Sequence, residues 1–443
     1  MKGPGLGLKK LTGNIAATLA RQLGAGVLQL LTLALIARVF GPQGNGAYAV
    51  ALLLPTTLAS LLNLGIGSAN IYYLGAARVG AAAALRTTFK LYAVIALLGL
   101  AVGATVVLHL AERWFQGVPE ELLWVALAVF PISLLLALIS SVFQGLQQFK
   151  RFNLILLLQP SLTLIFVILL LLGGVDAIEW MLAAYLAAAL ATLIVALFTV
   201  RGYWVKGEGP AFPHYGRALL TYGYKAHLSN ILAFVNYRAD IFLVNFFTGP
   251  AAAGVYVIAV QLSERLWLLS RAASTVLLPR LSQLSSDEAK RKQLTPIVTR
   301  WVLWITLAAS LLTALVGYPF ILLVFGTDFV AAYWPLVLLL PGIVLGSASR
   351  VLANDIAARG RPELNMYTSI VVVLINVAGN VALIPGHGIH GAAVATSLAY
   401  GINFALRLAM HRYFTGTPIW RNILIGRSDL AILNSLRKKG GKQ

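Results

Sequence analysis

The chain has 443 residues, of which 59% are hydrophobic and only 11% charged, with a mean hydropathy of +0.84. Soluble domains carry roughly 25% charged residues, so a water-soluble globule is excluded, and apolar runs that are continuous rather than alternating exclude an outer-membrane barrel. The absence of cysteine removes disulfides, thiol catalysis and thiolate-held metals, and the formal net charge of +20 has to be read by where it sits before any anionic macromolecule is invoked.

A helix of roughly 20 apolar residues crosses the hydrocarbon core of a bilayer, and about twelve such stretches fit the chain. Lys2, Lys9 and Lys10 lead straight into the first, which is too long for the apolar part of a cleavable signal. The first six expected spans cover approximately 12–39, 45–73, 85–110, 121–146, 152–172 and 178–200. A polar link containing Lys206, Glu208 and Pro210 follows at about 201–217. The second six cover approximately 218–247, 251–281, 301–325, 332–358, 364–384 and 389–413, and a basic tail closes the chain. The expected class is therefore all-α, in two six-helix lobes at 1–200 and 218–413, with a linker at 201–217 and a tail at 414–443. Ile419, Trp420, Ile423 and Leu424 alternate in that tail with Arg421 and Arg427, a pattern open to an amphipathic segment on the inner leaflet or to a basic coil.

Short loops fix the expected orientation. With the N-terminus inside, the cytoplasmic loops hold Arg78, Arg86, Lys150, Arg151, Arg201, Lys290, Lys292 and Arg361, among others. The opposite loops hold Arg113 among Glu112, Glu120, Glu121, Asp176, Glu179 and Asp328. Both termini are expected in the cytoplasm, and the positive excess is largely loop charge. No nucleic acid is implied.

A repeat organises the chain. Gly41-Pro42-Gln43-Gly44-Asn45-Gly46-Ala47-Tyr48 recurs 208 positions on, Gly41 to Gly249, as Gly249-Pro250-Ala251-Ala252-Ala253-Gly254-Val255-Tyr256. Proline suits a first helical turn and glycine a tight reversal, so each copy reads as an outer hairpin between two spans. Pro131 and Pro341 form a further pair 210 apart. An even number of helices per half gives parallel repeats about an axis along the membrane normal, with a substrate site at their interface.

Charges inside spans carry the chemistry, because each costs about 2.5–3.5 kcal/mol in hydrocarbon and so faces a cavity or a partner. Arg21, Arg238, Arg265, Arg271 and Arg350 are the candidate anion-binding set. Arg38, beside the outer hairpin, reads as a side chain snorkelling to the interface. Thr56, Ser60, Asn63, Gly67 and Asn70 fall at steps of four and three, a single polar stripe along the second span. Gln22, Gln29, Asn230 and Tyr237 extend the polar lining to the first and seventh spans. Such stripes also serve as glue between helices, but an excess of arginine over acid does not suit neutral glue. Guanidinium binds phosphate through a planar fork and stays charged when buried. Asp240, Glu264 and Asp355 have two readings, charge balance for the arginines or a site for a coupling ion, H⁺ or Na⁺. Tyr72, Tyr73, Tyr237, Trp267 and Tyr400 are either core and belt residues or platforms for sugar rings. No cofactor is expected and no metal site: His387 and His390 flank Gly388 without a nearby carboxylate and read as turn residues. No P-loop or nucleophile elbow is present, and the outer loops are too short for a catalytic domain, so no enzyme is expected.

Ala37-Arg38-Val39-Phe40-Gly41-Pro42 with Gly46-Ala47-Tyr48, Asn63-Leu64-Gly65-Ile66-Gly67, Phe143-Gln144-Gly145-Leu146, Arg238-Ala239-Asp240, Gly254-Val255-Tyr256 and Leu278-Pro279-Arg280-Leu281-Ser282 occur in that order. In this the chain resembles the polysaccharide (Wzx-like) flippases of the multidrug/oligosaccharidyl-lipid/polysaccharide exporter superfamily, over roughly residues 10–410. The resemblance implies a bacterial inner-membrane carrier moving undecaprenyl-diphosphate-linked oligosaccharide units from the cytoplasmic to the outer leaflet by alternating access. A glycan polymerase and glycosyltransferases of the same pathway would be its partners, with the bilayer itself. Peptidoglycan-precursor flippases of the superfamily usually have fourteen helices against about twelve here. A drug or cation antiporter would have an acidic cavity, and a glycan polymerase or ligase would need larger outer loops.

Overall fold

The computed structural model describes residues 4–205, 212–283 and 288–426. Lys206, Glu208 and Pro210 of the expected linker, and the tail beyond Gly426, lie outside the described residues. Every element among the described residues is helical: α1 Pro4–Ala51, α2 Leu53–Leu62, α3 Ile66–Gly75, α4 Ala81–Trp114, α5 Glu120–Gly145, α6 Phe149–Leu172 and α7 Ile178–Val205. There follow α8 Tyr215–Thr248, α9 Pro250–Glu264, α10 Trp267–Gln283, α11 Glu288–Phe325, α12 Tyr333–Ala358 and α13 Pro362–Thr415, with 3-10 turns at Thr327–Ala332 and Ile419–Asn422.

Among the described residues, nine helical stretches are long and apolar enough to cross a membrane. Two of these are double, because Gly41 (φ 62°, ψ −171°) divides α1 and Gly388 (φ 52°, ψ −135°) divides α13. One further span is assembled from α9 and α10, interrupted at Arg265 and Leu266. Read this way the helices supply the twelve spans that the hydropathy predicts. Gly249 (φ 85°, ψ 174°) repeats the backbone of Gly41, in a region of dihedral space open essentially to glycine alone. The repeated motif is thus a repeated geometry: a glycine reversal, then a proline opening the next helix.

The chain forms two compact units, Met1–Val257 with Val324–Asp328, and Ile258–Leu323 with Phe329–Gln443. In the first, α5 is the central helix. Leu122, Leu123, Phe130, Leu134, Leu138 and Phe143 are almost wholly buried on it, and it packs against α2, α3, α4, α6 and α7. Gly99 and Gly103 on α4 leave room for the Phe130 ring and the Leu127 side chain. In the second, α12 is central: Val344, Ala348 and Leu352 pack with Leu303 of α11 and with Phe404 and Leu408 of α13, while Val351 meets Leu277, Leu281 and Val302. Leucines at the outside of both units are left uncovered, Leu97, Leu98 and Leu169 in the first and Leu311, Leu315 and Leu323 in the second. This is the surface of a protein whose solvent is lipid tails, where apolar exposure carries no penalty.

Candidate functional site: interrupted spans, glycine crossings and intramembrane charge

The second span is not one helix. Asn63 caps α2 by donating through Nδ2 to the Ala59 carbonyl at 2.9 Å, and its Oδ1 accepts from the Gly65 amide at 2.9 Å. Leu64 (φ 49°) and Gly65 (φ 68°) then leave helical space before α3 begins. The expected single polar stripe from Thr56 to Asn70 is therefore corrected. Two consecutive left-handed residues rotate α3 relative to α2, so the i, i+4 register does not carry through. Thr56 remains exposed and returns its hydroxyl to the Leu52 carbonyl, whereas Asn70 is fully buried. The Asn70 Nδ2 donates to Thr88 Oγ1 (3.1 Å) and Ser141 Oγ (3.2 Å), and its Oδ1 accepts the Tyr215 hydroxyl (3.0 Å). Asn70 is thus a tie between α3, α4, α5 and α8. Burial first, and the neighbouring Tyr73 second, push the Tyr215 phenol up, so it remains a donor.

The break frees the Leu61 carbonyl, which His227 Nε2 approaches at 3.0 Å. A carbonyl only accepts, so Nε2 carries the proton.

Two glycine crossings flank this region. A Cβ on Gly65 would stand 2.8 Å from the Gly223 Cα, and one on Gly223 3.0 Å from the Gly65 carbonyl carbon. At the hairpin end, a Cβ on Gly46 would stand 2.9 Å from the Gly254 nitrogen and closer still to the Pro250 carbonyl oxygen. One on Gly254 would stand 2.7 Å from the Gly46 nitrogen. Gly46 and Gly254 occupy equivalent places in the repeated motif, so the two copies meet through the residue that each conserves between them. The buried Asn45 Nδ2 donates across the same crossing to the Gly254 carbonyl at 2.9 Å. Small residues that let backbones touch are the usual solution for helices packing in lipid. Arg38 finds a specific partner nearby: its Nε donates to the Val324 carbonyl, 2.8 Å away at the end of α11, where a cation suits the helix dipole.

The intramembrane charges fall in both units. In the first unit, Arg21 is half-buried with its Cζ 5.9 Å from the Phe152 ring centroid. Its Nε and the adjacent Gln22 Oε1 are buried without a hydrogen-bond partner among the described residues. Gln29 and Asn230 are exposed, and Tyr237 and Arg238 half-buried. One Arg238 contact is to the Tyr237 carbonyl, 3.0 Å from Nη1. Asp240 is 3% exposed. Its Oδ2 accepts the Tyr256 hydroxyl at 2.8 Å and its Oδ1 accepts the Ile241 amide at 2.8 Å. A carboxylate between two donors, one of them the motif tyrosine, is held in a set orientation.

In the second unit, Glu264 ends α9 and Arg265 stands in the interruption before α10, with its Nη2 3.1 Å from Gln261 Oε1. Arg271 is exposed. Arg350 lies over the Trp267 ring at 5.6 Å, and Trp267 packs edge-on to Tyr400 with centroids 5.5 Å apart.

Asp355 belongs to a different constellation. It is fully buried and pairs with Arg359 Nε at 2.7 Å, accepts Thr295 Oγ1 at 3.1 Å, and lies 4.0 Å from His411 Nε2. Arg359 also holds Glu288 at 2.9 Å, and Glu288 holds Arg291 at 2.8 Å. Burial draws the Arg359 pKa down, but Asp355 and then Glu288 outweigh it and leave it raised. Sequence reasoning missed this cluster, although the i, i+4 spacing of Asp355 and Arg359 was a visible signal. No group of three or more metal-ligating side chains occurs among the described residues.

A profile of the family described as "Polysaccharide biosynthesis protein" matches residues 11–285, more than half of the chain. The chain belongs to this family. Among curated proteins, the polysaccharide biosynthesis chain is 27% identical over 246 residues to a probable low-salt glycan biosynthesis flippase, Agl15, of Haloferax volcanii. The match spans 54% of the chain and about half, 50%, of that relative's length. Its fold is that of a lipid II flippase MurJ in an inward closed conformation (TM-score 0.74, 16% identity, 91% of this chain and 88% of that one). It is also that of an inward-facing multidrug resistance MATE transporter of the MOP superfamily (TM-score 0.67, 16% identity, 90% and 98%). At these identities the likeness is one of two-lobed architecture.

Proposed function

We propose that the protein is a flippase that carries a diphosphate-linked oligosaccharide on a polyprenyl lipid, undecaprenyl in a bacterial inner membrane, from the cytoplasmic to the outer leaflet. The observation that carries the reading is the placement of Arg265 at an interruption of the eighth span. Interrupted helices within a bilayer persist where they line a cavity or meet protein, and their ends are where transporters bind charged substrate. Arg238 is about ten residues from the end of α8, roughly 15 Å at 1.5 Å per residue, and so too deep to reach the interface easily. Each of these guanidinium groups, like those of Arg21, Arg271 and Arg350, can hold a phosphate group by forked hydrogen bonds.

Membership of the polysaccharide biosynthesis family and the naming of a relative as a glycan flippase support a glycan cargo. The arginine excess favours an anionic cargo over a cationic drug. Loop charge supports both termini in the cytoplasm. The role of the glycine crossings follows from their positions. Gly46 and Gly65 are 19 residues apart, about 28 Å along a helix and close to the hydrocarbon thickness. The second span is thereby held to the eighth at one face and to the seventh at the other. Alternating access requires each crossing to open in turn while the other stays shut. Asp240, oriented by Tyr256, is the carboxylate best placed for coupling to H⁺ or Na⁺.

The test is leaflet translocation of lipid-linked oligosaccharide by protein reconstituted in vesicles. Arg238→Ala with Arg265→Ala should reduce the rate at least about a hundredfold, because each charge-assisted hydrogen bond is worth roughly 1.5–3 kcal/mol. Lysine at both should restore only part, since a point charge replaces a planar fork. Parental rates in the double alanine variant would end the proposal.

A further inference from the structure

A cavity of about 470 Å³ opens beside the Gly65–Gly223 crossing, on the side toward the ends of α3 and α8, lined by Tyr73, Phe212, Arg217, Thr221 and Tyr222 with His214 at its rim. Its size falls in the range of small-ligand pockets, roughly 300–1,000 Å³. Its walls are braced. Tyr73 packs edge-on to Phe212, Tyr215 and Tyr222, with centroids 5.5–5.9 Å apart. Tyr222 is stacked on Tyr72 at 4.5 Å, and Tyr215 is fastened to the buried Asn70. Arg78 in turn lies over Tyr72 and donates to its hydroxyl at 3.1 Å. Arg217, His214 and Thr221 are exposed at the opening, and none of the lining residues is an acid.

We infer that this pocket is a saccharide subsite, taking a sugar ring that bears an acidic group. A pyranose presents an apolar C–H face and a polar edge. Rigid aromatic faces bury the first at little entropic cost, and hydroxyl and guanidinium groups satisfy the second. A site for bare phosphate would converge several N–H donors on one point, whereas here a single guanidinium stands at the edge of an aromatic floor. The inference deepens the flippase reading and rests on it. The pocket lies at the end of the molecule assigned to the cytoplasm, where the sugar of an incoming lipid-linked glycan would arrive, just outside the crossing that must open to admit it.

The test uses the full chain in detergent micelles and saturation-transfer NMR with free glucuronic acid, glucose and N-acetylglucosamine, none of which carries a diphosphate or lipid. Glucuronic acid should bind in preference to glucose. Arg217→Ala should weaken it about tenfold while leaving glucose unchanged, Arg217→Lys should restore part, and Tyr222→Ala should weaken all three sugars. Both positions are exposed, so the fold should survive, and an unchanged thermal midpoint confirms that. Three outcomes overturn the inference: no saturation of any sugar, equal binding in the Tyr222→Ala variant, or displacement of glucuronic acid by inorganic phosphate or anionic phospholipid at comparable concentration. If sugar binding follows this pattern while reconstituted protein fails to translocate lipid-linked glycan, the flippase reading falls and the subsite stands.

Discussion

Gly46→Ala is the smallest perturbation that interrogates the hairpin-end crossing. The added methyl would stand 2.9 Å from the Gly254 nitrogen and closer to the Pro250 carbonyl oxygen, both backbone atoms that cannot rotate aside. The two backbone segments must part by roughly 1–2 Å, and overpacking of this kind costs about 1–3 kcal/mol. Parting also strains the buried Asn45–Gly254 hydrogen bond of 2.9 Å, worth about 0.5–1.5 kcal/mol. The closed arrangement should therefore lose about 2–4 kcal/mol, a shift of roughly thirty- to a thousandfold in its population. Alanine is the better helix former by about 0.8–1 kcal/mol, so a loss cannot be attributed to helix propensity. Because the chain has no cysteine, Ser60→Cys on α2 is a clean reporter. Its labelling by a membrane-impermeant maleimide, applied from the hairpin face, should accelerate at least tenfold in Gly46→Ala and in the reciprocal Gly254→Ala. Labelling at the parental rate in both would refute the reasoning.

Asp240→Asn should abolish dependence of translocation on an ion gradient while Tyr256→Phe, which removes one donor, should shift it; unchanged gradient dependence in both assigns Asp240 to charge balance. Asn70→Leu strands the hydroxyls of Thr88 and Tyr215, while Ser141 keeps its bond to the Leu138 carbonyl, at about 1–3 kcal/mol for each buried donor or acceptor left unmet, and a clear fall in the thermal midpoint should follow. Arg359→Ala leaves the fully buried Asp355 carboxylate without its 2.7 Å partner, a loss of about 3–5 kcal/mol. Asp355→Asn in the same background should recover part of it, measured again by thermal unfolding.

The fold was legible to the extent that its physics is local. Hydropathy reports burial in lipid directly, and Gly41-Pro42 and Gly249-Pro250 announce reversals because few other residues tolerate those dihedrals. Expectation failed where an apolar run continues through a break. Nothing in the hydropathy of residues 56–70 marks the turn at Leu64, and only Asn63 and Gly65 hint at it in retrospect. The partner that makes Gly65 necessary, Gly223, lies far along the chain, as Glu288 does for Arg359, and pairings of that range leave no periodic trace. Asn70 was read as a lining residue because polarity in a span signals either a cavity or a tie, and only packing distinguishes the two. The arginines stand out in the sequence because charge in hydrocarbon demands a reason wherever it occurs.

The segment after Thr415 is fastened by its peptide groups. Trp304 Nε1 donates to the Ile423 carbonyl at 2.7 Å, and Arg300 Nη1 to the Arg421 carbonyl at 2.9 Å. A clasp that recognises main chain is indifferent to the side chain at Arg421, so evolution or an engineer can rewrite the charge displayed there without undoing the fastening. Replacing Trp304 or Arg300 instead would loosen the segment whatever side chain stands at 421, leaving it held by Ile419 and Ile423 against the core.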